Sequence, residues 1–185
     1  MIMNESSISV RYAKALFQCA KEKGVVEEVN RDMDLLLAVC RYDSFNGMIE
    51  TPVLNGTRKC QLLDSMFQDK IMPLTRSLLE LTVKNRRETC LNGIARYYKE
   101  LYRKDKGIKT ATLVTAGPLD QETEERFKKI IQKAFSSDIE MTAKVKEEVI
   151  GGFLLTVEDQ QYDATVSTGL KKIRKHLMQT TLEKK

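Results

Sequence analysis

The residues of this sequence whose types could carry chemistry are one histidine, four cysteines, three Glu-Glu pairs and a Gly-Gly pair. A lone imidazole works as a general base only beside a group that orients it. His176 follows Arg174 and Lys175 toward a helix end with no such partner, so it reads as a surface residue. Cys19, Cys40, Cys60 and Cys90 stand 21, 20 and 30 residues apart, without the close pairing that zinc or a redox dithiol requires. Each lies in an apolar helical pattern and reads as a small buried hydrophobe of a reducing compartment. Glu27–Glu28, Glu124–Glu125 and Glu147–Glu148 are neighbours that a helix splays about 100° apart, so no pair can converge on one substrate. Gly151-Gly152 suggests a phosphate cradle only until its context is read. A strand pattern follows it, no basic residue adjoins it, and a tight bend or close packing fits better. No phosphate loop, nucleophile elbow, dinucleotide fingerprint or zinc-protease motif occurs. The sequence therefore predicts no catalytic residue, no cofactor site and no metal site.

Binding chemistry is the remaining class. Lys84-Asn85-Arg86-Arg87 forms a short basic cluster, and Arg96, Lys99, Arg103 and Lys104 interleave with Tyr97, Tyr98 and Tyr102, a combination that could grip RNA. The net charge of +5 is spread, however, with 17 Lys+Arg against 14 Asp+Glu up to residue 105 and 14 against 12 beyond it. Glu88, Glu100 and Asp105 dilute the basic cluster further. Nucleic acid is disfavoured as a partner, and an RNA-binding helical bundle is kept as the alternative reading.

Apolar spacing defines the elements that position these residues. Up to residue 105 it is helical: Ile8, Tyr12, Ala15, Leu16 and Cys19 form one stripe of the first helix, and Ala13, Phe17 and Ala20 a second, which implies two partners for that helix. Gly24 ends it. Further helices follow through Val29, Met33, Leu36 and Leu37; through Phe45, Met48 and Ile49, halted before Pro52; and through Cys60, Leu62, Leu63, Met66 and Phe67. Pro73 opens a fifth with Leu74, Leu78, Leu79 and Leu81, and Leu91, Ile94, Ala95, Tyr98, Leu101 and Tyr102 line a sixth. From residue 106 the period changes. Ile108–Thr115 and Ile139–Val145 alternate as strands, and between them Asp120 caps a helix with a buried stripe of Phe127, Ile130, Ile131 and Ala134. Gly151–Val157 and Gln161–Thr165 form a hairpin about Glu158-Asp159, and a last helix sets Val166, Leu170, Ile173 and Leu177 on one face. The fold class is α+β: a six-helix bundle over 1–105 and a small mixed domain over 106–185. Met1–Ser7 has neither a basic n-region nor an apolar run, so no secretory or transit leader is read there. The longest aliphatic run, Leu35–Cys40, is far short of a membrane span.

Three ordered stretches resemble one family. Arg11-Tyr12-Ala13-Lys14-Ala15-Leu16-Phe17 is similar to its Tyr-Ala-x-Ala opening. Leu78 to Arg87 is similar to its helix running into Asn-x-Arg. Val149-Ile150-Gly151-Gly152-Phe153-Leu154-Leu155, then Asp163 and Leu170-Lys171-Lys172-Ile173, is similar to its Gly-Gly strand, hairpin and closing helix. Together they resemble the delta subunit of bacterial F-type ATP synthases, the oligomycin-sensitivity conferring protein family. Two places depart from the family pattern: Glu158-Asp159 stands where it often has Gly-Asp, and Ala164-Thr165-Val166-Ser167 where it tends to read Gly-Ser-Val-Arg.

The resemblance implies a non-catalytic stator subunit on the cytoplasmic face of the cell membrane, peripheral to it. One partner would be the N-terminal segment of an alpha subunit, held by the bundle. The other would be the C-terminal ends of the b subunits, held by the second part. The surplus apolar stripe of the first helix suits a partner helix laid in a groove. The expected alpha-binding residues are Tyr12, Ala13, Leu16, Leu78 and Leu81, between the first and fifth helices. The expected b-binding residues are Lys171, Lys172, Arg174 and Lys175, around the last helix's apolar stripe.

Overall fold

The computed structural model describes residues 2–51, 53–146 and 149–182, with residues 2–6, 69 and 176–182 described by backbone alone. Expectations resting on Pro52, on the Glu147–Glu148 pair and on the side chains of His176 and Leu177 lie outside the described residues. The fold is α+β, and the chain divides into two compact units, Met1–Asp105 and Lys106–Lys185.

The first unit contains α1 (Ile2–Lys23), α2 (Val26–Val39), α3 (Asp43–Glu50), α4 (Gly56–Phe67), α5 (Pro73–Lys84) and α6 (Leu91–Lys106). Two 3₁₀ turns, Gln68–Lys70 and Glu88–Cys90, were not foreseen, being too short to leave a period in the sequence. Local chemistry sets the boundaries. Gly24, at φ 68°, takes the left-handed conformation just past the end of α1. The Asn55 side chain accepts a hydrogen bond from the Arg58 N–H at 3.0 Å and caps α4. Met72 cannot cap α5, and α2 supplies the missing acceptor. The buried Asp32 carboxylate accepts from the Met72 N–H at 2.9 Å and from the Thr75 hydroxyl at 2.5 Å, fastening the start of α5 to α2.

One side of α1 enters the core through Ala13, Leu16 and Ala20, which meet Val29, Met33 and Leu36 of α2, Leu78 and Leu79 of α5, and Ile94, Ala95 and Tyr98 of α6. Each large side chain so buried contributes about 1.5–3 kcal/mol of transfer free energy. Tyr98 is fully enclosed, its hydroxyl donating to the Val26 carbonyl at 3.2 Å and its ring meeting the edge of Phe17; burial raises its pKa. Where α6 passes α1, a Cβ on Gly93 would stand 2.5 Å from the Ser9 hydroxyl and 3.1 Å from its Cβ, so a larger residue would have to displace the Ser9 side chain. A second buried charge, Lys59, donates to the Ile49 carbonyl at 2.5 Å and to Glu88 at 2.6 Å, tying α3 and α4 to the 3₁₀ turn before α6.

The second unit is a four-stranded sheet in the order β2-β1-β3-β4, made of β1 (Lys109–Thr115), β2 (Ile139–Val145), β3 (Gly152–Val157) and β4 (Gln160–Thr165), with helices α7 (Gln121–Phe135) and α8 (Val166–Leu182). β1 and β2 run parallel through the α7 crossover, while β3 lies antiparallel to both β1 and β4. Ala111, Leu113, Ile139, Leu155 and Val157 form its core with Ile131 of α7. The Gly-Gly pair serves packing. Gly152 has φ 80°, and a Cβ there would meet the Ala164 carbonyl oxygen at 2.2 Å; Gly151 accepts the Val166 N–H at 3.0 Å, joining β3 to the first turn of α8. At the hairpin, Glu158 rather than glycine carries the positive φ, 50°.

Three packing expectations are corrected. Cys40 and Cys90 are buried, but Cys60 is only partly so and Cys19 is exposed. On α4, Leu62 and Met66 face solvent. On α7, Ile131 is buried, yet Ile130 and Ala134 are exposed, because one helix covers a sheet with a stripe narrower than the one the spacing drew.

Two stability outcomes follow from this geometry. Gly152→Ala must displace backbone at a positive φ and should lower the unfolding free energy of the second unit by about 3 kcal/mol or more, whereas Gly151→Ala meets only the Val166 side chain, its methyl at 3.1 Å, and should cost about 1 kcal/mol. Lys59→Met strands a buried carboxylate and should cost about 3–5 kcal/mol, while Lys59→Met with Glu88→Leu should recover most of it. Thermal and urea unfolding followed by circular dichroism measure both.

Candidate partner-binding surfaces

α1 and α5 pack side by side, and their outward residues share a face. Along α1 an outward stripe runs through Ile8, Tyr12, Ala15 and Cys19; along α5 the matching outward residues are Leu74, Leu81 and Asn85, with Leu78 buried beneath them. The Asn85 amide donates to the Tyr12 hydroxyl at 3.0 Å and links the two rows at one end. Ile8, Tyr12 and Leu74 are half-buried, while Ala15, Cys19 and Leu81 are exposed, Leu81 at 47%. The result is an apolar strip, low over Ala15 and Cys19, with Arg11, Lys14 and Lys84 exposed beside it.

The five residues expected here divide. Tyr12 and Leu81 lie on the strip, whereas Ala13, Leu16 and Leu78 are buried in the core and hold the two helices that carry it. Sequence reasoning omitted Ile8, Ala15, Cys19, Leu74 and Asn85 from this surface. The spacing signal was present for all five, since each sits three or four residues from Tyr12, Leu78 or another strip residue.

The other surface is α8. Asp163 fixes its start: one carboxylate oxygen accepts from the Thr165 N–H at 2.9 Å and the Thr165 hydroxyl at 2.7 Å, the other from the Thr168 hydroxyl at 2.8 Å. The Thr165 hydroxyl bond, then the other two, hold the Asp163 carboxyl below the usual range. A depressed folded-state pKa stabilises above the unfolded value and is lost as pH falls through the folded one. Beyond this anchor the apolar stripe has no cover: Val166, Leu170 and Ile173 are 49%, 62% and 58% exposed. Lys171, Lys172, Arg174 and Lys175 are exposed around it.

Other candidate features are accounted for within the fold. A cleft of about 980 Å³ between the α3–α4 connection and the end of α5 is organised by the Lys59–Glu88 pair, with Asn55, Glu80, Lys84 and Arg86 on its walls. Cys60 lines it, its thiol pKa raised by burial and then by Glu80, Asp64 and Glu88; the Cys40 thiol is pushed up to about 11 by burial alone, so neither is an activated nucleophile. The aromatic platform that RNA would need is used elsewhere: Tyr98 is in the core, Tyr97 packs against it, and Lys99 pairs with Asp34. Among the described residues no cluster could hold a metal ion and no helix is long and apolar enough to cross a membrane.

The family model described as "ATP synthase delta (OSCP) subunit" matches residues 8–177. Curated relatives named ATP synthase subunit delta include that of Cytophaga hutchinsonii, 33% identical with 93% of this chain and 94% of that one covered, and that of Bacteroides fragilis, 31% identical with 95% and 96% covered. Among solved structures, a chain of the Toxoplasma gondii mitochondrial ATP synthase hexamer has the same fold, with a TM-score of 0.71 over 92% of this chain and 97% of that one at 24% identity. Matched by the family pattern over most of its length and by relatives almost end to end, this chain belongs to the ATP synthase delta (OSCP) subunit family, a non-catalytic structural subunit of that complex.

Proposed function

We propose that this chain is the connector of an F-type ATP synthase stator. Its first unit, six helices acting as one bundle over 1–105, seats the N-terminal segment of an alpha subunit, and its second, 106–185, holds the C-terminal ends of the b subunits at the cytoplasmic face of the membrane. It thereby resists rotor torque while protons drive ATP synthesis. The observation that carries this reading is that each unit leaves an amphipathic helix face uncovered along several turns: the α1/α5 strip and the stripe of α8. An amphipathic helix laid on the strip would cover Ile8, Tyr12, Ala15, Cys19, Leu74 and Leu81, the low positions at Ala15 and Cys19 admitting its backbone closely. Ala13, Leu16 and Leu78 support the site from beneath. On α8 the apolar stripe supplies contact area and the four cations favour an acidic or amphipathic partner helix.

Leu81→Asp, at an exposed position, should leave the fold intact and weaken binding of an alpha N-terminal peptide about thirtyfold, roughly 2 kcal/mol, in calorimetry. The same peptide should shield Cys19, the exposed thiol of the strip, from alkylation. Unchanged affinity in a folded Leu81→Asp chain, together with unshielded Cys19, refutes the placement. For α8, Leu170→Asp should abolish binding of a b C-terminal segment, and Lys171→Glu with Lys172→Glu should weaken it most at low salt, where charge attraction is least screened. A b affinity indifferent to both changes and to salt removes α8 from the interface.

A further inference from the structure

We propose that β2 is a self-complementary edge at which two copies of this chain, when free of their complex, join antiparallel into one continuous eight-stranded sheet. β2 ends the strand order, with β1 on one side only. The bonds from Lys109 N–H to the Asp138 carbonyl and from Lys146 N–H to the Thr115 carbonyl show that even-numbered residues turn their backbone groups toward β1. The odd-numbered residues Ile139, Met141, Ala143 and Val145 therefore direct theirs to the open edge, where a strand without a partner is a template for pairing.

The side chains specify which partner fits. About a two-fold axis at Thr142, an antiparallel copy sets Ile139 against the second copy's Val145 and Met141 against its Ala143, as pairs exchanging backbone hydrogen bonds. The even positions become the closer, non-hydrogen-bonded pairs: Thr142 against Thr142 and Glu140 against Lys144, twice by symmetry. Thr–Thr and opposite-charge pairs are favourable at such positions. Glu140 already interacts within its own chain, and the pairing adds Lys144 across the axis.

The apolar face points the same way. Ile139 and Met141 lie on the α7 side of the sheet, and that face continues through Ala143 and Val145, which are exposed, Val145 at 52%. Phe135 of α7 meets Tyr162 of β4 and Phe127 meets Phe153 of β3, so the helix flank turned away from them, with Ile130 at 65% exposure, lies toward β2. Across the axis each Ile130 gains the partner's β2 face. The surface involves neither the α1/α5 strip nor α8.

Sedimentation equilibrium of the full chain over a concentration series is the test, with circular dichroism to confirm that each variant is folded. The wild-type chain should show a reversible monomer–dimer equilibrium. Glu140→Lys or Lys144→Glu alone should weaken it about tenfold or more by placing like charges opposite each other, and the double exchange E140K/K144E in one chain should restore it. Mixing the two single variants should give a heterodimer tighter than either homodimer, which a merely destabilised strand would not. A wild-type chain monomeric throughout, a dimer indifferent to both reversals, or single variants that fail to pair when mixed would each overturn the proposal.

Discussion

Burial of Ala13, Leu16 and Ala20 along one side of α1 is the interaction on which the first unit depends. Small residues at two of the three positions let neighbouring helices approach closely, and Gly93 opposite Ser9 serves the same end on α6. A helix packed that tightly on one side still has another, and on α1 that other side is also apolar. Once the core is full, Tyr12, Ala15 and Cys19 must face outward beside Leu81. The exposed apolar strip is thus a consequence of core packing: the residues that form the core hold those that face out.

Charges inside the fold act as fasteners between elements distant in sequence. Asp32 of α2 fastens the start of α5, and Lys59 joins the end of α3 to the turn before α6. Each is a buried ion with hydrogen-bonded partners, the condition under which such a group is tolerable. Asp163 plays a similar part in solvent, fixing where α8 leaves the sheet while Gly151 and Gly152 let β3 pass close beneath. The direction of α8 is set at its base, and the stripe through Val166, Leu170 and Ile173 is left exposed.

Helices and strands with a clear period were legible in the sequence, and so were the Gly-Gly close approach, the end of α1 and the family. What periodicity could not tell was which of two apolar stripes is inside. The α1 stripe through Tyr12 and the one through Ala13 look alike as spacings, and only packing separates them. Ala13, Leu16 and Leu78 were therefore placed in the lining of a groove when they are buried, and Ile130 and Ala134 in a buried stripe when they are exposed. Long-range polar bonds were also invisible: nothing local in Asp32, Lys59 or Asn85 names Thr75, Glu88 or Tyr12 as its partner. Cys19 was read as buried because its neighbours are apolar, yet it belongs to the outward row.

The connector role proposed for this chain requires it to hold both partners at once. Sedimentation of the full chain with an alpha N-terminal peptide and a dimeric b C-terminal segment, together and separately, tests this most directly. A ternary complex containing all three, with each partner's affinity little changed by the other, is the predicted result. Mutually exclusive binding, or failure of the second unit to retain b while the first retains alpha, would contradict it.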